Sequence, residues 1–509
     1  MTSAAPEFVP APIALGELLA DAARQAPDLF SGAALPSAQT MRLFQVTGVV
    51  QDHRLVGRGS LFVARRGAKF DAHDHLAAAV AAGAVALVGE KPPADVGPLG
   101  APYVQVSDAR RALPYLAAAF YRHPSQRMRV VGVTGTDGKT TTSYLTHWLL
   151  DGAHLTGLSS TSGVYLGPQE LPPADGHFTT PEATAVQALL ARFAAAGASH
   201  TVLESSSHGF SLGRLDAVTY AVGVVTNLAS EHIDFHGSVE AYADAKANLV
   251  RRSPLTVLNR DDPGFAYFAQ AAAGAVIAYG EHEEADVRLL RVASATGGLD
   301  LELLVHGEQL AATLPMVGRY NAYNAAAALA VAEHEGVPLA LAAQRLASFP
   351  GVPGRMQLVA VEPTVIVDFA HTPPALEKAL AAVRPASGRL IVVVGSAGER
   401  DPAKRAPLGA AAVQGADFAV LTEEDSRSED VDAILHEMAA GATLAGGTEG
   451  TDFVRVPDRT AAISHAIGLA QPGDVVLLAG KGHERTLERS GTTLPWDEVE
   501  VARRAVAEL

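Results

Sequence analysis

The chain has 509 residues, of which 48% are hydrophobic and 18% are charged, and it contains no cysteine. One hydrophobic core rarely extends over so long a chain, so the length predicts about two to four domains. The net charge of −16 excludes a general nucleic-acid binder, and the lack of cysteine excludes disulfides and thiolate metal sites.

The first residues and the apolar segments bear on location. Residues 1–12 have no basic flank and no apolar core long enough for a signal peptide. No apolar run approaches the ~20 residues of a membrane span. The lack of cysteine also suits a reducing compartment. We therefore expect a cytoplasmic monomer whose partners include no membrane and no nucleic-acid polymer.

The first 126 residues predict a small α/β domain. Its strand-like and helix-like segments are 61–64, 75–82, 85–89 and 103–106. The sequence Asp52-His53-Arg54 and the turn at 67–71 stand where strand ends would expose polar groups. Binding and simple loop formation are equally open for both segments.

Two segments rich in turn formers predict the domain boundaries. Residues 121–126 indicate a linker, because a helix should stop before Pro124. Residues 350–355 read PGVPGR, which is typical of a boundary. The expected domains are 1–126, 127–351 and 352–509.

The segment from Val130 to Thr142 predicts a strand, a phosphate-binding loop and a helix. It reads VVGVTGTDGKTTT. Glycines let the backbone approach a polyphosphate, and the positive end of the helix dipole attracts it. Lys139 is placed to bridge phosphates, and the Thr140 hydroxyl to hold Mg²⁺. Val133 replaces the first glycine of the common G-x-x-x-x-G-K-[ST] pattern, so this loop is a variant.

Apolar strands alternate with alanine-rich helices from 127 to 351, which predicts a mainly parallel sheet with ligands at the carboxyl ends of its strands. Glu204 follows one such strand, and Glu231 to Asp234, including His232, follow another. We expect these two strands to be adjacent. An oxygen ligand and a nitrogen ligand would then lie near the phosphate loop and could hold a metal.

Two other patterns in the central domain stay open on the residues alone. Lys246 lies in the helical segment 239–249, where periodicity favours a solvated side chain. Asn321 and Asn324 are three residues apart at a helix start and share a face. Their amides could read a purine edge, or Asn321 could simply cap the helix.

The last third contains four apolar segments that predict buried parallel strands alternating with helices. These segments are 364–368, 390–395, 418–422 and 474–480. Polar residues follow each of them, so we expect one crevice lined from four strand ends. Arg400, Lys404 and Arg405 there suit anionic substrates. The predicted fold class is α/β in three domains, with a central P-loop parallel-sheet ATPase domain and a Rossmann-like C-terminal domain.

Several of these segments resemble, in the same order, the Mur ligases that build the peptide of bacterial cell-wall precursors, and they are most similar to the MurE type. The segments are TGTDGKTT at 134–141, TNLASEHIDFHG at 226–237, GRYNAYN at 318–324, VDFAHTP at 367–373 and GKGHE at 480–484. The resemblance covers all three expected domains. It departs from the family at His53, where a serine usually meets the uracil nucleotide.

The resemblance implies an ATP-dependent acid–amino-acid ligase of peptidoglycan synthesis. The free carboxylate of UDP-N-acetylmuramoyl-L-alanyl-D-glutamate would attack the γ-phosphate of ATP, and the amine of a diamino acid would then displace phosphate from the acyl phosphate. Catalysis would consist mostly of charge neutralisation and alignment. Two Mg²⁺ ions and a CO₂-derived carbamate on Lys246 are the implied cofactors besides ATP.

The resemblance also implies roles for individual residues. The catalytic residues would be Lys139, Glu204, His232 and Lys246. The metal ligands would be Thr140, Glu204, His232 and carbamylated Lys246. The ATP contacts would be Gly135, Thr136, Asp137, Gly138, Lys139, Thr140, Thr141, Asn321, Asn324, Arg355, Asp368 and His371. The contacts to the UDP-muramoyl dipeptide would be Asp52, His53, Thr179, Thr180, Ser206 and Arg214. The amino-acid contacts would be Arg405, Glu424, Asp425, Arg427, Gly480 and Glu484.

The identity of the added amino acid depends on Asp425. In family members that add meso-diaminopimelate, an asparagine there helps receive the second carboxylate. A negative charge instead disfavours that carboxylate by ~1 kcal/mol or more and favours an ammonium. We therefore expect L-lysine or L-ornithine, which differ by one methylene that the sequence does not resolve. The alternative is that Asp425 faces solvent and decides nothing.

Two other functions stay open on the sequence. One is a different ligase of the same superfamily, such as a folate polyglutamylating enzyme or another Mur step. The other is a P-loop switch or motor that uses ATP hydrolysis to change a partner's shape. The N-K-x-D motif of GTPases is absent, since residues 226–229 read TNLA.

Overall fold

The computed structural model describes residues 8, 10–31, 37–67, 70–172, 179–295 and 297–509. Residues 68 and 69 of the turn at 67–71, and residues 1–7 and 9, lie outside this part. The chain divides into two compact units. Unit 1 contains Met1–Arg288, Val305–Gly307 and Ala326–Ala342, and unit 2 contains Leu289–Leu304, Glu308–Ala325 and Ala343–Leu509. No helix among the described residues is long and apolar enough to cross a membrane.

Strands and helices alternate along most of the chain. Up to residue 126 they are β1 Ile13–Ala14, β2 Gln45–Val46, β3 Gly48–Val50, β4 Ser60–Val63, β5 Ala86–Gly89 and β6 Tyr103–Gln105, with α1 Leu15–Gln25, α2 Pro27–Phe30, α3 Ala38–Leu43, α4 Leu76–Ala81, α5 Pro93–Val96 and α6 Ala109–Phe120. From 127 to 351 the strands are β7 Arg129–Thr134, β8 Thr156–Ser160, β9 Gly163–Leu166, β10 Gln169–Leu171, β11 His200–Glu204, β12 Val222–Val225, β13 Leu255–Asn259, β14 Ala275–Gly280, β15 Val287–Ala295, β16 Gly298–Val305 and β17 Glu308–Leu314. The helices of that segment are α7 Lys139–Asp151, α8 Ala183–Ala195, α9 Ser207–Ser211, α10 Ile233–His236, α11 Val239–Val250, α12 Phe265–Ala271, α13 Tyr320–His334 and α14 Leu339–Ala347. Beyond 351 they are β18 Gln357–Val361, β19 Thr364–Asp368, β20 Leu390–Ser396, β21 Phe418–Glu423, β22 Phe453–Arg455, β23 Val475–Ala479, β24 Thr486–Arg489 and β25 Thr492–Pro495, with α15 Pro373–Val383, α16 Arg405–Gly415, α17 Val431–Leu444, α18 Arg459–Leu469 and α19 Glu498–Ala507.

The first sheet of unit 1 is parallel and has the order β3-β4-β5-β6. Apolar side chains alternate across it, because successive residues of a strand point to opposite faces. Val63 and Val88 pack with residues of α1 and α6, whereas Phe62 and Leu87 pack with residues of α4. The three strands and the helix expected between 61 and 106 are all present.

The larger sheet of unit 1 has the order β10-β9-β8-β11-β7-β12-β13-β14. Its strands are parallel from β8 to β14, as expected, and β9 and β10 are antiparallel. The expectation that the strands preceding Glu204 and His232 are adjacent is wrong, because β7 lies between β11 and β12. The two residues therefore follow strands that flank the phosphate-loop strand.

The expected end of a helix before Pro124 is confirmed, because α6 ends at Phe120. Pro124–Gln126 form a short 3-10 helix in which Pro124 and Ser125 are buried. The Ser125 hydroxyl oxygen accepts a hydrogen bond from the Thr219 backbone N–H at 3.1 Å. Turn-forming residues stop the helix here, but they begin a packed connection.

The sheet of unit 2 has the order β18-β19-β23-β20-β21-β22 and is parallel except for β18. Val392 and Val394 pack with residues of α15, α16 and α17, and Ile391 and Val393 pack with residues of α18 and α19. Helices on both faces of a parallel sheet form the expected Rossmann-like arrangement. The carboxyl ends of β19, β23, β20 and β21 are neighbours, as the predicted crevice requires.

Candidate functional site

The phosphate loop connects β7 to α7 and depends on two glycines. Gly135 and Gly138 have φ values of 145° and 80°, which residues with a side chain rarely adopt. A Cβ atom at Gly135 would lie 1.8 Å from the Thr226 hydroxyl oxygen. The loop conformation therefore requires glycine at these positions.

Side chains that follow β12 fix this loop. The Asn227 side-chain oxygen accepts hydrogen bonds from the Thr136 and Asp137 backbone N–H groups at 3.2 and 2.9 Å. The Thr226 hydroxyl donates to the Asp137 carbonyl at 2.6 Å. The Lys139 ammonium donates to the Gly135 and Thr136 carbonyls at 3.2 and 2.7 Å. Lys139 thus lies against the loop, and the role of Asn227 in holding the loop was not anticipated.

Thr140 and Glu204 meet beside the loop. Glu204 is 1% exposed, and the Thr140 hydroxyl donates to its Oε1 atom at 2.9 Å. Oxygen ligands on neighbouring corners of an octahedral Mg²⁺ site are also about 2.9 Å apart. Among the described residues no group of three or more His, Cys, Asp or Glu side chains could hold a metal. The pair fits Mg²⁺, which usually takes few protein ligands and completes its shell with phosphate and water.

Lys246 is 1% exposed, so the solvated side chain that periodicity favoured is wrong. Its ammonium nitrogen donates to the Gly135 carbonyl and lies 4.2 Å from the centre of the Tyr242 ring. Burial, and then the charge of Lys139, lower the pKa of Lys246 well below its ordinary value. An uncharged amine of this kind can react with CO₂.

The ring of His232 lies near the same tyrosine. The His232 and Tyr242 ring centres are 6.1 Å apart, and the Tyr242 hydroxyl donates to the Thr136 hydroxyl oxygen at 3.3 Å. The His232 ring also contacts His208, at 4.8 Å between centres. Tyr242 therefore connects His232, Lys246 and the phosphate loop.

A cavity of about 630 Å³ opens elsewhere in unit 1. It is lined by Gln51, Asp52, His53, Arg54, Arg65, Arg66, Gly67, Phe70, Ala72, Arg110, Glu182, Leu212 and Arg214. Five of these residues are arginines, which suit phosphate and carboxylate groups. Asp52 and His53 line the cavity, although the sequence alone left loop formation equally open for them.

Glu182 organises one wall of this cavity, and it was missed because nothing in the local sequence indicates its partners. It pairs with Arg214 at 2.7 Å and Arg65 at 3.3 Å. Arg214 also donates to the Thr180 carbonyl at 2.9 Å, and the Thr180 and Ser206 hydroxyls are 3.0 Å apart. The structure thus connects three of the predicted residues, and half-buried Thr179 directly precedes Thr180.

Three rings stack at the cavity where the sequence departs from the family. His53 and His75 lie 4.0 Å apart with planes 7° from parallel, and Phe70 follows at 5.0 Å from His75. A flat stack of this kind suits a nucleobase, whose faces stack on aromatic rings. Asp52 beside it is bound to Arg54 at 2.6 Å, which lowers the pKa of the carboxyl to about 2.

In unit 2 a compact group follows β19. The Asp368 carboxylate accepts backbone hydrogen bonds from Met356 and Ala370 at 2.8 and 2.9 Å, and burial raises its pKa. The Arg355 guanidinium lies 4.9 Å from the Phe369 ring centre. Phe369 also contacts the rings of His371 and His483, at 4.6 and 4.9 Å between centres. Burial lowers the pKa of His371, and it takes that of His483 to about 4.

Asn321 and Asn324 share a helix face, as predicted. The Asn324 side-chain N–H donates to the Asn321 side-chain oxygen at 3.0 Å. Asn321 lies inside the first turn of α13, and its own side-chain N–H donates to the Val317 carbonyl at 2.7 Å. The alternative that Asn321 caps the helix is therefore wrong, because a cap accepts from backbone N–H groups.

Lys481 connects the predicted amino-acid contacts, although it was not singled out among them. It is fully buried and pairs with Asp425 at 2.8 Å and Glu484 at 2.6 Å. The Glu488 backbone N–H donates to the same Asp425 oxygen at 2.9 Å. Asp425 therefore does not simply face solvent, and Lys481 offsets part of its charge.

The two predicted arginines are also paired with carboxylates. Arg427 binds Glu488 at 2.9 Å, and Arg405 binds Glu429 at 2.8 Å and Glu437 at 3.2 Å. With Asp425 and Glu484, five carboxylates are paired with these three cations. The charges of Lys404 and Arg459 also act on the neighbouring Glu424.

Glu424 is buried next to Gly480, whose lack of a side chain leaves room for its carboxyl group. Burial raises the pKa of Glu424 to about 7. A Cβ atom at Gly480, whose φ is 107°, would lie 3.3 Å from the Glu424 Oε2 atom. A buried carboxyl that is half-ionised near neutral pH can add further negative charge to the cluster.

Three family models match the chain in order. They are the Mur ligase family catalytic domain at residues 45–121, the Mur ligase middle domain at 133–332 and the Mur ligase glutamate ligase domain at 354–482. A UDP-N-acetylmuramyl-tripeptide synthetase of Deinococcus radiodurans is 50% identical over 94% of this chain and 99% of that protein.

Two further proteins are similar over almost their whole length. A UDP-N-acetylmuramoyl-L-alanyl-D-glutamate–2,6-diaminopimelate ligase of Geobacillus thermodenitrificans is 40% identical over 91% of this chain and 95% of that protein. A solved structure of a ligase with the same name is 29% identical and has a TM-score of 0.68 over 98% of this chain and 99% of that one. The chain therefore has the three-domain α/β fold of the Mur ligases and belongs to that family, as an ATP-dependent amide ligase of the MurE type in peptidoglycan synthesis.

Proposed function

We propose that this ligase joins a diamino acid to UDP-N-acetylmuramoyl-L-alanyl-D-glutamate, and that it prefers L-lysine or L-ornithine to meso-diaminopimelate. The observation that carries the reaction type is the presence in unit 1 of a phosphate loop and of a cavity lined by five arginines. ATP and a UDP-linked substrate both carry negatively charged phosphates, and each would meet a site that carries positive charge.

The residues around the loop would neutralise charge during carboxylate activation. A substrate carboxylate oxygen would attack the γ-phosphorus, and the bond to ADP would break to leave an acyl phosphate. Lys139 would offset the charge of the phosphates. Thr140 and Glu204 would hold Mg²⁺, which would screen the two anions from each other. An amine would then attack the acyl carbon, and phosphate and a proton would leave.

Lys246 would contribute as a carbamate. Its low pKa supplies the uncharged amine that attacks CO₂, and the loss of a proton leaves an anion in place of a cation. His232, whose ring centre lies 6.1 Å from that of Tyr242, could share a second Mg²⁺ with that anion.

The arginine-lined cavity would bind the UDP-linked substrate. The stack of His53, His75 and Phe70 would hold the uracil, and Arg214 with Thr180 would hold the peptide end. The remaining contacts proposed for the UDP-linked substrate are Asp52, Thr179 and Ser206. The ATP contacts proposed outside the loop are Asn321, Asn324, Arg355, Asp368 and His371.

The choice of amino acid would follow from charge in unit 2. Lys481 reduces the effect of Asp425 alone, but the five carboxylates paired with Lys481, Arg405 and Arg427 support the same preference. A second substrate carboxylate would be repelled there, and an ammonium would be attracted by about 1 kcal/mol or more. Arg405, Glu424, Asp425, Arg427, Gly480 and Glu484 remain the proposed contacts.

The reaction can be tested by incubating the protein with ATP, the UDP-muramoyl dipeptide and a panel of amino acids. ADP release and the mass of the product are measured for each. We expect ADP release that requires both the dipeptide and a diamino acid, and a product heavier by one diamino-acid residue. ATP turnover without an acceptor amine would contradict the proposal, and transfer to a folate or to a different muramoyl peptide would favour another ligase of the superfamily.

A further inference from the structure

The turn between β8 and β9, from Ser160 to Gly163, surrounds the Glu204 carboxylate with hydrogen-bond donors. The Glu204 Oε2 atom accepts from the Ser160 hydroxyl at 2.6 Å. It also accepts from the Thr161 backbone N–H at 2.9 Å and from the Thr161 hydroxyl at 3.2 Å. The Oε1 atom accepts from the Thr140 hydroxyl at 2.9 Å. The two oxygens of one carboxylate therefore have different surroundings.

The fold brings these donors to Glu204. Strand β8 runs parallel to β11 with Ser159 opposite Leu203, so Ser160 ends its strand level with Glu204. Strand β9 returns antiparallel with Ser160 opposite Gly163, which makes a tight two-residue turn. Gly163 has a φ of 152°, and a Cβ atom there would lie 2.8 Å from the Tyr165 ring. The turn therefore requires glycine at position 163.

The distribution of donors decides which oxygen is available. A carboxylate oxygen has about two lone-pair sites, so three donors leave Oε2 with no free site for a cation. Oε1 keeps one, and its 2.9 Å distance to the Thr140 oxygen is the spacing of neighbouring ligands on Mg²⁺.

We propose that Ser160 and Thr161 are positioning residues that restrict Glu204 to binding the nucleotide-associated cation through Oε1 alone, next to Thr140. This inference rests on the proposed function, because it takes Glu204 as a cation ligand. It adds the reason why the carboxylate holds one orientation.

Removal of a group that orients a metal ligand usually weakens metal binding by about 10- to 100-fold. We expect about a tenfold weaker Mn²⁺ affinity in Ser160→Ala, and recovery to within about threefold in Ser160→Thr, which keeps the hydroxyl. Ser143→Ala is the matched control, since the Ser143 hydroxyl is buried in α7 and has no hydrogen-bond partner within the described part of the chain.

Mn²⁺ binding is measured by electron paramagnetic resonance on the full chain with a non-hydrolysable ATP analogue and without the UDP substrate, so that no turnover contributes. Nucleotide affinity in the presence of EDTA should be equal in all variants. The Mg²⁺ concentration for half-maximal activity should rise in Ser160→Ala in proportion to the loss of Mn²⁺ affinity, whereas kcat at saturating Mg²⁺ should change little.

Native Mn²⁺ affinity in Ser160→Ala, together with lost affinity in Glu204→Gln, would overturn this inference and leave the proposed function intact. If Glu204→Gln keeps the native Mn²⁺ affinity, Glu204 is not a ligand of the proposed cation site, and the inference is also wrong. If Ser160→Ala does not fold, Thr161→Val decides the question. It deletes one donor and keeps the backbone N–H, so Mn²⁺ affinity should fall by about threefold, and unchanged affinity would contradict the inference.

Discussion

Glu424 should give amino-acid addition a pH dependence centred near neutrality. Burial raises the pKa of this carboxyl to about 7, although the charges of Lys404 and Arg459 oppose the shift. The group is therefore neutral at low pH and becomes an anion as the pH rises. With such a pKa, about 10% of the molecules carry the charge at pH 6 and about 90% at pH 8.

The size of the effect follows from the charge. An ammonium about 6 Å from an ionised carboxylate gains about 3 kcal/mol at an effective dielectric constant of about 20. Binding of a diamino acid to the neutral form would then be weak, and kcat/KM for L-lysine should rise about eightfold between pH 6 and 8 in step with ionisation. His483, whose pKa burial takes to about 4, does not titrate in this window.

The assay compares pH profiles of kcat/KM for L-lysine in the native protein and in Glu424→Gln. Dividing the native kcat/KM by that of Glu424→Gln at each pH removes the pH dependence of steps that do not involve Glu424. This quotient should increase about eightfold from pH 6 to 8. Glu377→Gln, which removes an exposed carboxylate on α15, should leave the native profile unchanged. A quotient that stays constant with pH would refute the role assigned to Glu424.

Three further changes have defined outcomes. Lys139→Ala should reduce acyl-phosphate formation by about 10²-fold or more, since its charge faces the phosphate loop, with a melting temperature near native; normal turnover would count against it. Lys246→Ala should lose most activity and regain part of it when short carboxylates, which replace the carbamate, are added. Full activity of this variant without added carboxylates would contradict the carbamate role. Hydrogen bonds from His200 and Arg129 outweigh burial and take the pKa of Glu335 to about 2. Glu335→Gln should therefore lower the unfolding free energy at pH 7 by up to about 3 kcal/mol, and the difference should vanish as the pH falls from about 4.5 to 2; a pH-independent difference in denaturant titrations would contradict this.

Elements and strand ends could be predicted from the sequence because they depend on local patterns. Three of the four residues from Val130 to Val133 are β-branched valines, which predicts a strand. The glycines and Lys139 that follow predict a phosphate loop. The polar residues after β19, β20, β21 and β23 were placed at one edge of a sheet by the rule that parallel strands expose ligands there.

Contacts between residues distant in the chain could not be predicted in the same way. Lys246 looked solvated because helical periodicity does not show that the Gly135 carbonyl, 111 residues away, contacts its ammonium group. Asp425 shows its negative charge in the sequence, but Lys481, 56 residues further on, could not be assigned as its partner. Charge compensation depends on the folded neighbourhood, and the sequence shows only one member of each pair.

The order of strands in the sheet was the other source of error. Consecutive strands often neighbour each other, but β7 lies between β11 and β12 in the folded sheet. This insertion places the phosphate loop between Glu204 and the segment that contains His232. The arrangement of the predicted residues around the loop follows from this strand order, which the sequence does not show.

The most direct test of the proposed specificity is a comparison of kcat/KM for L-lysine, L-ornithine and meso-diaminopimelate in the native protein and in Asp425→Asn. In the native protein one of the two bare-amine substrates should exceed meso-diaminopimelate by about tenfold or more, because Lys481 is paired with two carboxylates. Asp425→Asn should narrow that ratio, and Glu377→Gln should leave it unchanged. If meso-diaminopimelate is the best substrate of the native protein, the charge argument is wrong.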